Sequence, residues 1–417
     1  MKPDVDIIVS GAGASGLAAT IALARAGFSV LCAGTSDTRP NGRTVALFEG
    51  SLRHLKAMGV WPRLEPLAQP IRAIRMIDDT GAHLTVPPLT LQASEIGLAA
   101  LGANIENDKL VAALLAEAKA LPSVRLTGTF LTDIRFGDGA VEVRDTEGAL
   151  TTAALIVAAD GRRSPARIAA GIGARAWSYN QVALTALLSH RKPHGEVSTE
   201  FHTRNGPCTL VPLRGTPEHP HRSSLVWLMS PREAERRRPH DDAALAIELQ
   251  HQTRSVVGRI ALEPARGHFP MGGLKVNRLV GHRILLMGEA AHAFPPLAAQ
   301  GLNLSLRDTA ELVATLTAAR RELRDIGALD SLRPYERARS RDIALRTNGI
   351  DILNRSIMTD FAPVDAVRGA GAVALRLVGP LRRAIMREGI LPPGPAMNFA
   401  ATPFHTTGTP DHSGRHG

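Results

Sequence analysis

The sequence predicts an α/β fold in which a parallel sheet is interrupted by an inserted antiparallel sheet and is followed by a helical C-terminal region. Three observations predict it: a strand–turn–helix–strand unit at the N-terminus, β-rich runs between Pro/Gly/His-rich connections in the middle, and helical periodicity towards the C-terminus. With 417 residues, of which 44% are hydrophobic, the chain is long enough to bury a large core.

The N-terminal unit is read from residue types. Asp4–Ser10 is a short β-branched run that stops at Gly11, Ala14–Gly27 has the alanine and leucine content of a close-packed helix, and Phe28–Ala33 is the next strand. A parallel α/β sheet begins in this way.

Two helices and a hairpin are predicted next. The helices are Ser51–Gly59 and Asn107–Ala120, whose leucines recur on one side. Gly137–Asp138–Gly139 predicts a hairpin turn between the strands Ile134–Phe136 and Val141–Val143.

The middle of the chain, residues 181–276, predicts the inserted antiparallel sheet. Its clearest strands are Val197–His202, Thr209–Leu213 and Ser224–Met229. One helix, Asp241–Arg254, interrupts this sheet, and we expect the arginine-rich segment Arg236–Arg238 before it to be a loop.

The remaining chain returns to helix and buried strand. Arg283–Met287 has the pattern of a buried parallel strand, Leu302–Leu316 that of a long helix, Leu332–Glu388 is mostly helical, and Ala400–Gly417 predicts a disordered tail. The chain therefore divides into a first domain of residues 1–72, 97–180 and 277–325, an inserted domain of residues 73–96 and 181–276, a helical region of residues 326–399, and a tail of residues 400–417.

Composition excludes several classes of protein. The net charge is +10, but aromatic residues are only 4% and no Lys/Arg run interleaves with them, which argues against nucleic-acid binding. Two cysteines, Cys32 and Cys208, exclude a disulfide scaffold and a cysteine-rich metal site, so we predict no metal and a reducing cytoplasm. The uncharged stretch Ile7–Ala24 is rich in Gly, Ala and Ser, and we do not expect it to span a membrane.

The first motif is a glycine-rich turn between the first strand and helix. Gly11, Gly13 and Gly16, with Ala14 and Ser15 between the last two, fit G-x-G-x-x-G. The first glycine permits a tight turn, the second lets a pyrophosphate approach the backbone, and the third lets helix and strand pack closely. This context predicts a dinucleotide site.

The acidic residue that such a site usually has at the end of the second strand is missing. Ala33 and Gly34 occupy that place, and the nearest acid is Asp37. Ribose recognition is therefore left to Asp37, to the hydroxyls of Thr35 and Ser36, or to the backbone.

Two more motifs lie at strand ends. Asp160–Gly161 follows a strand and by itself predicts only a turn. Gly288–Glu289 follows the strand of residues 283–287, a double proline comes shortly after, and Gln300–Gly301–Leu302–Asn303 opens a helix. Small residues and a helix start expose backbone N–H groups and a positive dipole to a ligand.

These motifs, in this order and spacing, resemble a known family. Residues 11–16 (GAGASG), 159–167 (ADGRRSPAR) and 288–308 (GEAAHAFPPLAAQGLNLSLRD) look like the three fingerprints of group A flavoprotein monooxygenases, the para-hydroxybenzoate hydroxylase fold. Residues 42–47, 105–107 and 335–355 resemble more closely the UbiH/UbiF/VisC hydroxylases of ubiquinone biosynthesis. The resemblance implies a Rossmann-like FAD-binding domain, here the first domain, and an inserted substrate domain.

The resemblance also implies site roles. Gly11, Gly13 and Gly16 would hold the FAD pyrophosphate and Arg43 would lie along FAD. Asp160 and Gly161 would touch FAD and the nicotinamide dinucleotide, and Glu289, where most relatives have Asp, would bond a ribityl hydroxyl. Cofactor contacts are implied for Gly11, Gly13, Ala14, Ser15, Gly16, Arg43, Asp160, Gly161, Gly288, Glu289, Pro296, Gly301, Leu302 and Asn303. Ala299 stands where glycine is frequent, and His292 is expected to be structural.

The implied reaction is hydroxylation of an aromatic ring. NAD(P)H reduces FAD, O₂ adds at carbon 4a, and the hydroperoxide transfers its outer oxygen to the ring. Catalytic side chains stay unknown; the chemistry would occur beside the loop with Phe294, Pro295, Pro296 and Gln300. The expected substrate is a polyprenylated phenol of ubiquinone biosynthesis. The alternatives are a small soluble aromatic or xenobiotic, and a non-catalytic flavin-bearing subunit.

The sequence of the C-terminal region predicts a helical face but does not decide what that face contacts. Apolar residues recur at helical spacing, arginines lie between them, and Gly379–Pro380 should break the helix. The apolar residues are Val364, Val367, Ala374, Val378, Leu381 and Ile385, and the arginines are Arg368, Arg376, Arg382, Arg383 and Arg387. This face either packs on the protein's own core or docks, peripherally, on an anionic membrane or another ubiquinone-biosynthesis protein.

Overall fold

The structure is a computed structural model that describes residues 3–81, 87–204, 206–264, 266–294, 299–358, 362–397 and 399. Within them the strands are β1 (Val5–Ser10), β2 (Val30–Ala33), β3 (Thr44–Phe48), β4 (Gln69–Ile71), β5 (Ala73–Asp78), β6 (Leu89–Gln92), β7 (Gly102–Glu106), β8 (Val124–Thr127), β9 (Leu131–Phe136), β10 (Val141–Asp145), β11 (Leu150–Ala158), β12 (Ala174–His190), β13 (Val197–Thr203), β14 (Gly206–Leu213), β15 (Arg222–Met229), β16 (Ile260–Leu262), β17 (Gly267–Val276), β18 (Val280–Gly281), β19 (Ile284–Leu286) and β20 (His292–Ala293).

The helices of the same residues are α1 (Ala14–Arg25), α2 (Glu49–Ala57), α3 (Trp61–Leu64), α4 (Asn107–Lys119), α5 (Pro165–Ala169), α6 (Pro231–Arg237), α7 (Asp242–Gln252), α8 (Gln300–Arg321), α9 (Leu329–Met358), α10 (Ala362–Leu377) and α11 (Gly379–Ile390). The predicted tail, residues 400–417, lies outside the described residues.

The first sheet carries the N-terminal unit. Its strands run in the order β18-β19-β11-β1-β2-β8, with β10 and β9 added beside β11. The five strands from β19 to β8 are parallel, and β1, β2 and β19 are almost wholly apolar because α1 and α8 help to cover the sheet. The predicted hairpin is present: β9 and β10 are antiparallel, and Gly137 N donates to Ala140 O.

The second sheet is the inserted one. Its nine strands run β20-β17-β12-β15-β14-β13-β5-β6, with β16 beside β12. One face packs on α6 and α7, where Ala234, Leu245 and Leu249 join the apolar residues of the sheet. We call the opposite face, which carries Ala183, Val226 and Leu228, the inner face.

The prediction of a loop at Arg236–Arg238 is wrong in part, because Arg236 and Arg237 belong to α6. The Ser230 hydroxyl accepts a hydrogen bond from Glu233 N, and Pro231 begins the helix. A serine cap followed by proline is a strong helix start.

A small third sheet, β3-β7-β4, connects the other two. The Thr44 hydroxyl donates to Ser224 Oγ on the inner face at 2.8 Å, and Asn104 Nδ2 donates to Pro212 O at 2.9 Å. Buried Arg222 of β15 binds Glu263 through two nitrogens and Glu106 of β7 through one. These contacts hold the inner face against β3.

The C-terminal helices complete the fold. α10 ends at Leu377 and α11 begins at Gly379, so the helix is interrupted where Gly379–Pro380 predicts it. Among the described helices, none combines the length and apolarity needed to cross a bilayer. The observed architecture confirms the predicted fold class, whereas the residue limits of the domains stay a prediction.

Candidate functional site

The glycine-rich turn contains two kinds of glycine. A Cβ on Gly11, whose φ is +111°, would lie 2.4 Å from Ala159 O, and a Cβ on Gly16 would lie 1.8 Å from Gly11 O. Protein packing alone therefore requires both glycines. A Cβ on Gly13 would meet no described atom within 4 Å, and no side chain caps the start of α1. The N–H groups of this helix start face open space, as a phosphate site requires.

Gly288 brings the third motif against the first. Its φ is +55°, and a Cβ there would lie 3.2 Å from Ser305 Oγ of α8 and 3.3 Å from Ser15 Oγ of α1. The starts of α1 and α8 therefore converge on one turn.

Asp160 ends β11 beside the first motif. Its Oδ2 accepts hydrogen bonds from Ser10 Oγ at 3.1 Å and Ala166 N at 3.2 Å. Burial raises the pKa of this carboxyl, although the hydrogen bonds from Ser164, Ala166 and Ser10 oppose the shift. The buried Oδ1 has no partner among the described residues, and Gly161, with φ +83°, has open space in front of it.

The second and third motifs also meet. Arg167 Nη1 donates to Ala290 O at 2.9 Å, and the exposed Glu289 carboxylate lies 3.6 Å from Arg162 Nε. Glu289 therefore points along the open side of the site. Its bond to a ribityl hydroxyl stays a prediction.

Asp308 of α8 holds the third motif in place. Its Oδ2 accepts from Gly288 N at 3.0 Å and from His292 Nε2 at 2.7 Å, and its Oδ1 accepts from Arg339 Nε at 2.7 Å. Complete burial would raise the pKa of this carboxyl, but His292 and Arg339 outweigh it and hold the pKa far below the usual range. We call His292, Asp308 and Arg339 the Asp308 network.

The structural role that sequence reasoning assigned to His292 stays a prediction, and sequence reasoning missed its partners Asp308 and Arg339. Asp308 is one of several charged residues of α8, beside Arg307 and near Glu311, so its charge did not single it out, and Arg339 lies 31 residues further on.

The start of α8 offers backbone groups to a ligand. Ala299 precedes the helix with φ +51°, no side chain caps it, and a Cβ on Gly301 would meet no described atom within 4 Å. The Asn303 side chain is already used: its Oδ1 accepts from Phe48 N at 2.8 Å and its Nδ2 donates to Ala46 O at 2.9 Å. Asn303 therefore positions β3, and what faces the site here is N–H groups.

The other predicted loop residues are only partly described. Phe294 is buried and its ring stacks on His292, with centroids 6.0 Å apart. Gln300 is buried, and its Oε1 accepts from Arg346 Nη1 of α9 at 3.4 Å. Leu302 is partly buried against the main core. Pro295 and Pro296 lie outside the described residues.

Arg43 and the ribose candidates make contacts in different parts of the chain. The Arg43 guanidinium is 5.3 Å from the centre of the Phe269 ring of β17. The Ser36 hydroxyl donates to Ala12 O at 2.8 Å, and Asp37 binds Arg39 at 2.9 Å. The choice among Asp37, the hydroxyls and the backbone stays open.

A separate cavity of about 630 Å³ lies between α2, α8, α9 and the segment 391–397. It is lined by residues such as His54, Arg307 and Asp342, and by none of the predicted site residues. No cluster of metal-ligating side chains occurs in the part of the chain that the structure describes.

The residues of the three motifs fit a dinucleotide cofactor. A Cβ on Gly13, Gly161 or Gly301 would meet no described protein atom within 4 Å, so these glycines leave room for a ligand. No side chain caps the starts of α1 and α8. A pyrophosphate and an electron-rich ring are groups that such helix starts bind.

Comparison with known proteins agrees with this geometry. The profile of the family described as FAD binding domain matches residues 4–347. The ubiquinone hydroxylase UbiL of Rhodospirillum rubrum is 33% identical over 94% of this chain and 91% of its own. The 3-demethoxyubiquinol 3-hydroxylase of Escherichia coli is 28% identical over 92% of this chain and 98% of its own.

Two solved structures share the fold. The p-nitrophenol 4-monooxygenase PnpA of Pseudomonas putida has a TM-score of 0.75 at 16% identity and covers 93% of this chain and 98% of its own. A variant of Klebsiella pneumoniae HpxO complexed with FAD has a TM-score of 0.73 at 20% identity, covering 93% of this chain and 99% of its own.

Proposed function

The chain belongs to the FAD binding domain family as an FAD-dependent monooxygenase, and on this premise we propose that it hydroxylates the ring of a polyprenylated phenol in ubiquinone biosynthesis. NAD(P)H is the electron donor in this proposal. The named activities of UbiL and the 3-demethoxyubiquinol 3-hydroxylase support the substrate class.

FAD supplies the oxygen chemistry when it is bound. The protein binds the cofactor, orients the substrate and excludes water. The N–H groups at Gly13 to Ser15 hold the pyrophosphate, with Gly11 and Gly16 shaping the turn. Arg43, Asp160, Gly161, Gly288 and Glu289 line the cofactor's length. The N–H groups of residues 301–303 and the α8 dipole stabilise negative charge at its ring end.

One observation carries the substrate class: where the inner face meets β3, its buried cation Arg222 is already paired with Glu263 and Glu106 and is not free to bind an acidic ring. Across β12, β15 and β14 the register places Ala183 beside Leu228, and Val226 beside Thr209. Neither arginine that could bind an acidic ring lies there: Arg214 is exposed, and Arg204 Nε donates to Thr80 O at 3.0 Å. A charged ring would lack a buried counter-ion on these strands, whereas a prenylated phenol needs none.

The runner-up is a monooxygenase of a small soluble aromatic, and substrate length separates the two. NAD(P)H oxidation coupled to hydroxylated product is measured for phenols with graded isoprenoid tails and for untailed phenols. Each buried CH₂ contributes about 0.8 kcal/mol, so each added five-carbon unit should tighten binding until the space for the tail is filled. A preference for an untailed carboxylated ring would contradict the proposed substrate class.

The cofactor site has its own test. Gly13→Val should abolish FAD binding because the side chain occupies the open space where the pyrophosphate approaches. Gly139→Val, in the hairpin turn between β9 and β10, is a control, because a Cβ there also meets no described atom within 4 Å and no left-handed φ is needed. A yellow Gly13→Val protein, or FMN as the released cofactor, would refute this assignment of the glycine loop.

The exposed apolar residues of α10 and α11 support peripheral docking on an anionic membrane. Val367 and Leu377 are 74% and 76% exposed, and Leu381 and Ile385 are about half exposed, so these residues do not pack on the protein's own core. Arg376 and Arg387 are exposed nearby, and a cationic, apolar helix surface suits anionic lipid. Val364 and Arg368 have side chains outside the described set.

Arg382 is unsuitable for testing this docking, because its Nε donates to Glu95 at 2.6 Å. Instead, Arg376→Glu with Arg387→Glu should reduce co-sedimentation with phosphatidylglycerol vesicles. Arg135→Glu with Arg144→Glu makes the same charge change on β9 and β10 as a control. Equal binding of both double variants would leave docking unsupported.

A further inference from the structure

A group of polar side chains is buried between strand β12 and helix α9. It consists of Trp177, Tyr179 and Gln181 from β12, and Asp351 and Asn354 from α9, and we call it the β12–α9 polar cluster. Gln181 and Asn354 are 2% and 0% exposed. The register of β12 shifts between Ser178 and Val182, and Asn180 has φ +51°, which re-aims the strand's side chains at this point.

Each of the two amides uses only one of its two polar atoms. Asn354 Nδ2 donates to Gln181 Oε1 at 3.0 Å. Gln181 Nε2 and Asn354 Oδ1 are buried and have no partner among the described residues. If both amides were turned over, one NH₂ group and one carbonyl oxygen would still be left. An unmade hydrogen bond at a buried group costs about 1–3 kcal/mol, so this arrangement suits a ligand that supplies both partners.

The side chains around the cluster are aromatic and apolar, which suits an aromatic ligand. Tyr179 belongs to an apolar group with Ala183, Leu228 and Met271, against which Trp177 and Phe269 pack. The Trp177 and Tyr179 rings meet edge to face at 6.2 Å. Burial raises the pKa of the Tyr179 phenol, and Asp351 adds to this, so the hydroxyl keeps its proton.

Helix α9 also links the cluster to the start of α8. Arg346, five residues before Asp351 on α9, contacts Gln300, the first residue of α8. Five residues of helix span about 8 Å, which is the scale of one aromatic substrate. On the other side, Trp177 packs over Gly273 of β17, whose neighbour Leu274 pairs with Ala293 of β20.

We propose that Gln181 and Asn354 bind the ring hydroxyl of the phenol and so orient the ring against the cofactor. A hydroxyl donates one hydrogen bond and accepts others, and therefore matches the unpaired acceptor Asn354 Oδ1 together with the unpaired donor Gln181 Nε2. A methyl ether can only accept, so it leaves Asn354 Oδ1 unpaired. This inference rests on the proposed function and names the residues that select the substrate's polar group.

The test compares two ligands that differ only in that hydrogen. Equilibrium binding of 2-geranylphenol and of its methyl ether, 2-geranylanisole, to the oxidised FAD-loaded enzyme is followed by the flavin absorbance. Wild type should prefer the phenol by about tenfold. Asn354→Leu removes the acceptor that only the phenol uses, so it should bring this ratio close to one and leave the affinity for the ether nearly unchanged. Gln181→Met removes the donor that both ligands use, so it should weaken the binding of both and keep the ratio.

Gln69→Met is the matched control, because Gln69 is a buried glutamine in β4 that donates to Glu196 and lies outside the cluster. It should keep the wild-type ratio. A wild-type ratio near one, a ratio that Asn354→Leu preserves, or an unchanged affinity of Gln181→Met for both ligands would overturn the inference while leaving the enzyme a hydroxylase. Failure of wild type to bind either ligand would overturn the proposed substrate class, and the inference with it.

Discussion

The Asp308 network and the β12–α9 polar cluster are both buried and both use helix α9, but only the first is complete at its centre, where both carboxylate oxygens are paired although Arg339 Nη2 has no partner among the described residues. Each oxygen of Asp308 accepts a hydrogen bond from the protein, through Gly288, His292 and Arg339. In the cluster, Gln181 and Asn354 bond each other and leave one atom each unpaired among the described residues.

The difference separates a scaffold from a recognition surface. A buried carboxylate whose oxygens are all used fixes the backbone that supplies the donors, here the turn at Gly288 beside the start of α1. A buried amide with free capacity costs stability unless a ligand supplies the missing partner. Stability should therefore depend on the first group and ligand selection on the second.

The strongest test removes the charge at the centre of the complete network. Asp308→Asn should lower the free energy of unfolding by about 3 kcal/mol, because buried Arg339 loses one of its two carboxylates and keeps only Asp342. FAD occupancy should fall as well, since Gly288 N loses its acceptor. Denaturant unfolding and the flavin-to-protein absorbance ratio measure both effects.

Asp133→Asn is the control for that variant, because the Asp133 pair with Arg135 is exposed and should contribute less than about 0.5 kcal/mol. Equal stability of the two variants would contradict the scaffold role of Asp308.

Acid should weaken the surroundings of the complete network. Arg339 shares Asp342 with Arg307, and Arg307 lies near His54, whose pKa burial and then Arg307 lower to about 4. The unfolded chain binds this proton at about pH 6.5 and the folded chain only near pH 4, so stability falls as pH drops between these values.

At pH 5 the loss should be on the order of 1–2 kcal/mol relative to pH 7. His54→Gln, which does not titrate, should show a flatter profile of unfolding free energy against pH. Identical profiles for wild type and variant would exclude His54 as the titrating group.

The residue before α8 gives a smaller effect of opposite sign. Ala299 has φ +51°, which costs a side-chain-bearing residue about 1 kcal/mol relative to glycine. Ala299→Gly should therefore raise the free energy of unfolding by that amount. Ala116→Gly, on an exposed position of α4, should lower it by about 0.5–1 kcal/mol, and a loss in both variants would argue against strain at Ala299.

The smallest change in stability is expected at the incomplete cluster. The double variant Gln181→Met with Asn354→Leu replaces both amides by apolar groups of similar size, so its unfolding free energy should stay within about 1 kcal/mol of wild type. Asn354→Leu alone should cost more, because Gln181 Oε1 then loses its only donor. If the double variant lost as much stability as Asp308→Asn, the two groups would not differ in kind.

Several features could be predicted from neighbouring residues alone. The glycine turn, the hairpin at Gly137 and the break at Gly379–Pro380 each depend on backbone conformations that one or two residues permit. The helix α6 belongs with them, because Ser230, Pro231 and Glu233 form a local start signal that the arginines after it obscured.

What the sequence by itself determined is therefore the fold class and the three loop motifs, because hydrophobic periodicity and glycine placement act within a few residues. Only the tertiary structure decided that Asp308 meets Arg339, 31 residues away, and that Gln181 meets Asn354, 173 residues away. The packing of α9 against α8 and against the inserted sheet brings these partners together. Their hydrogen bonds depend on that packing, and no local pattern encodes it.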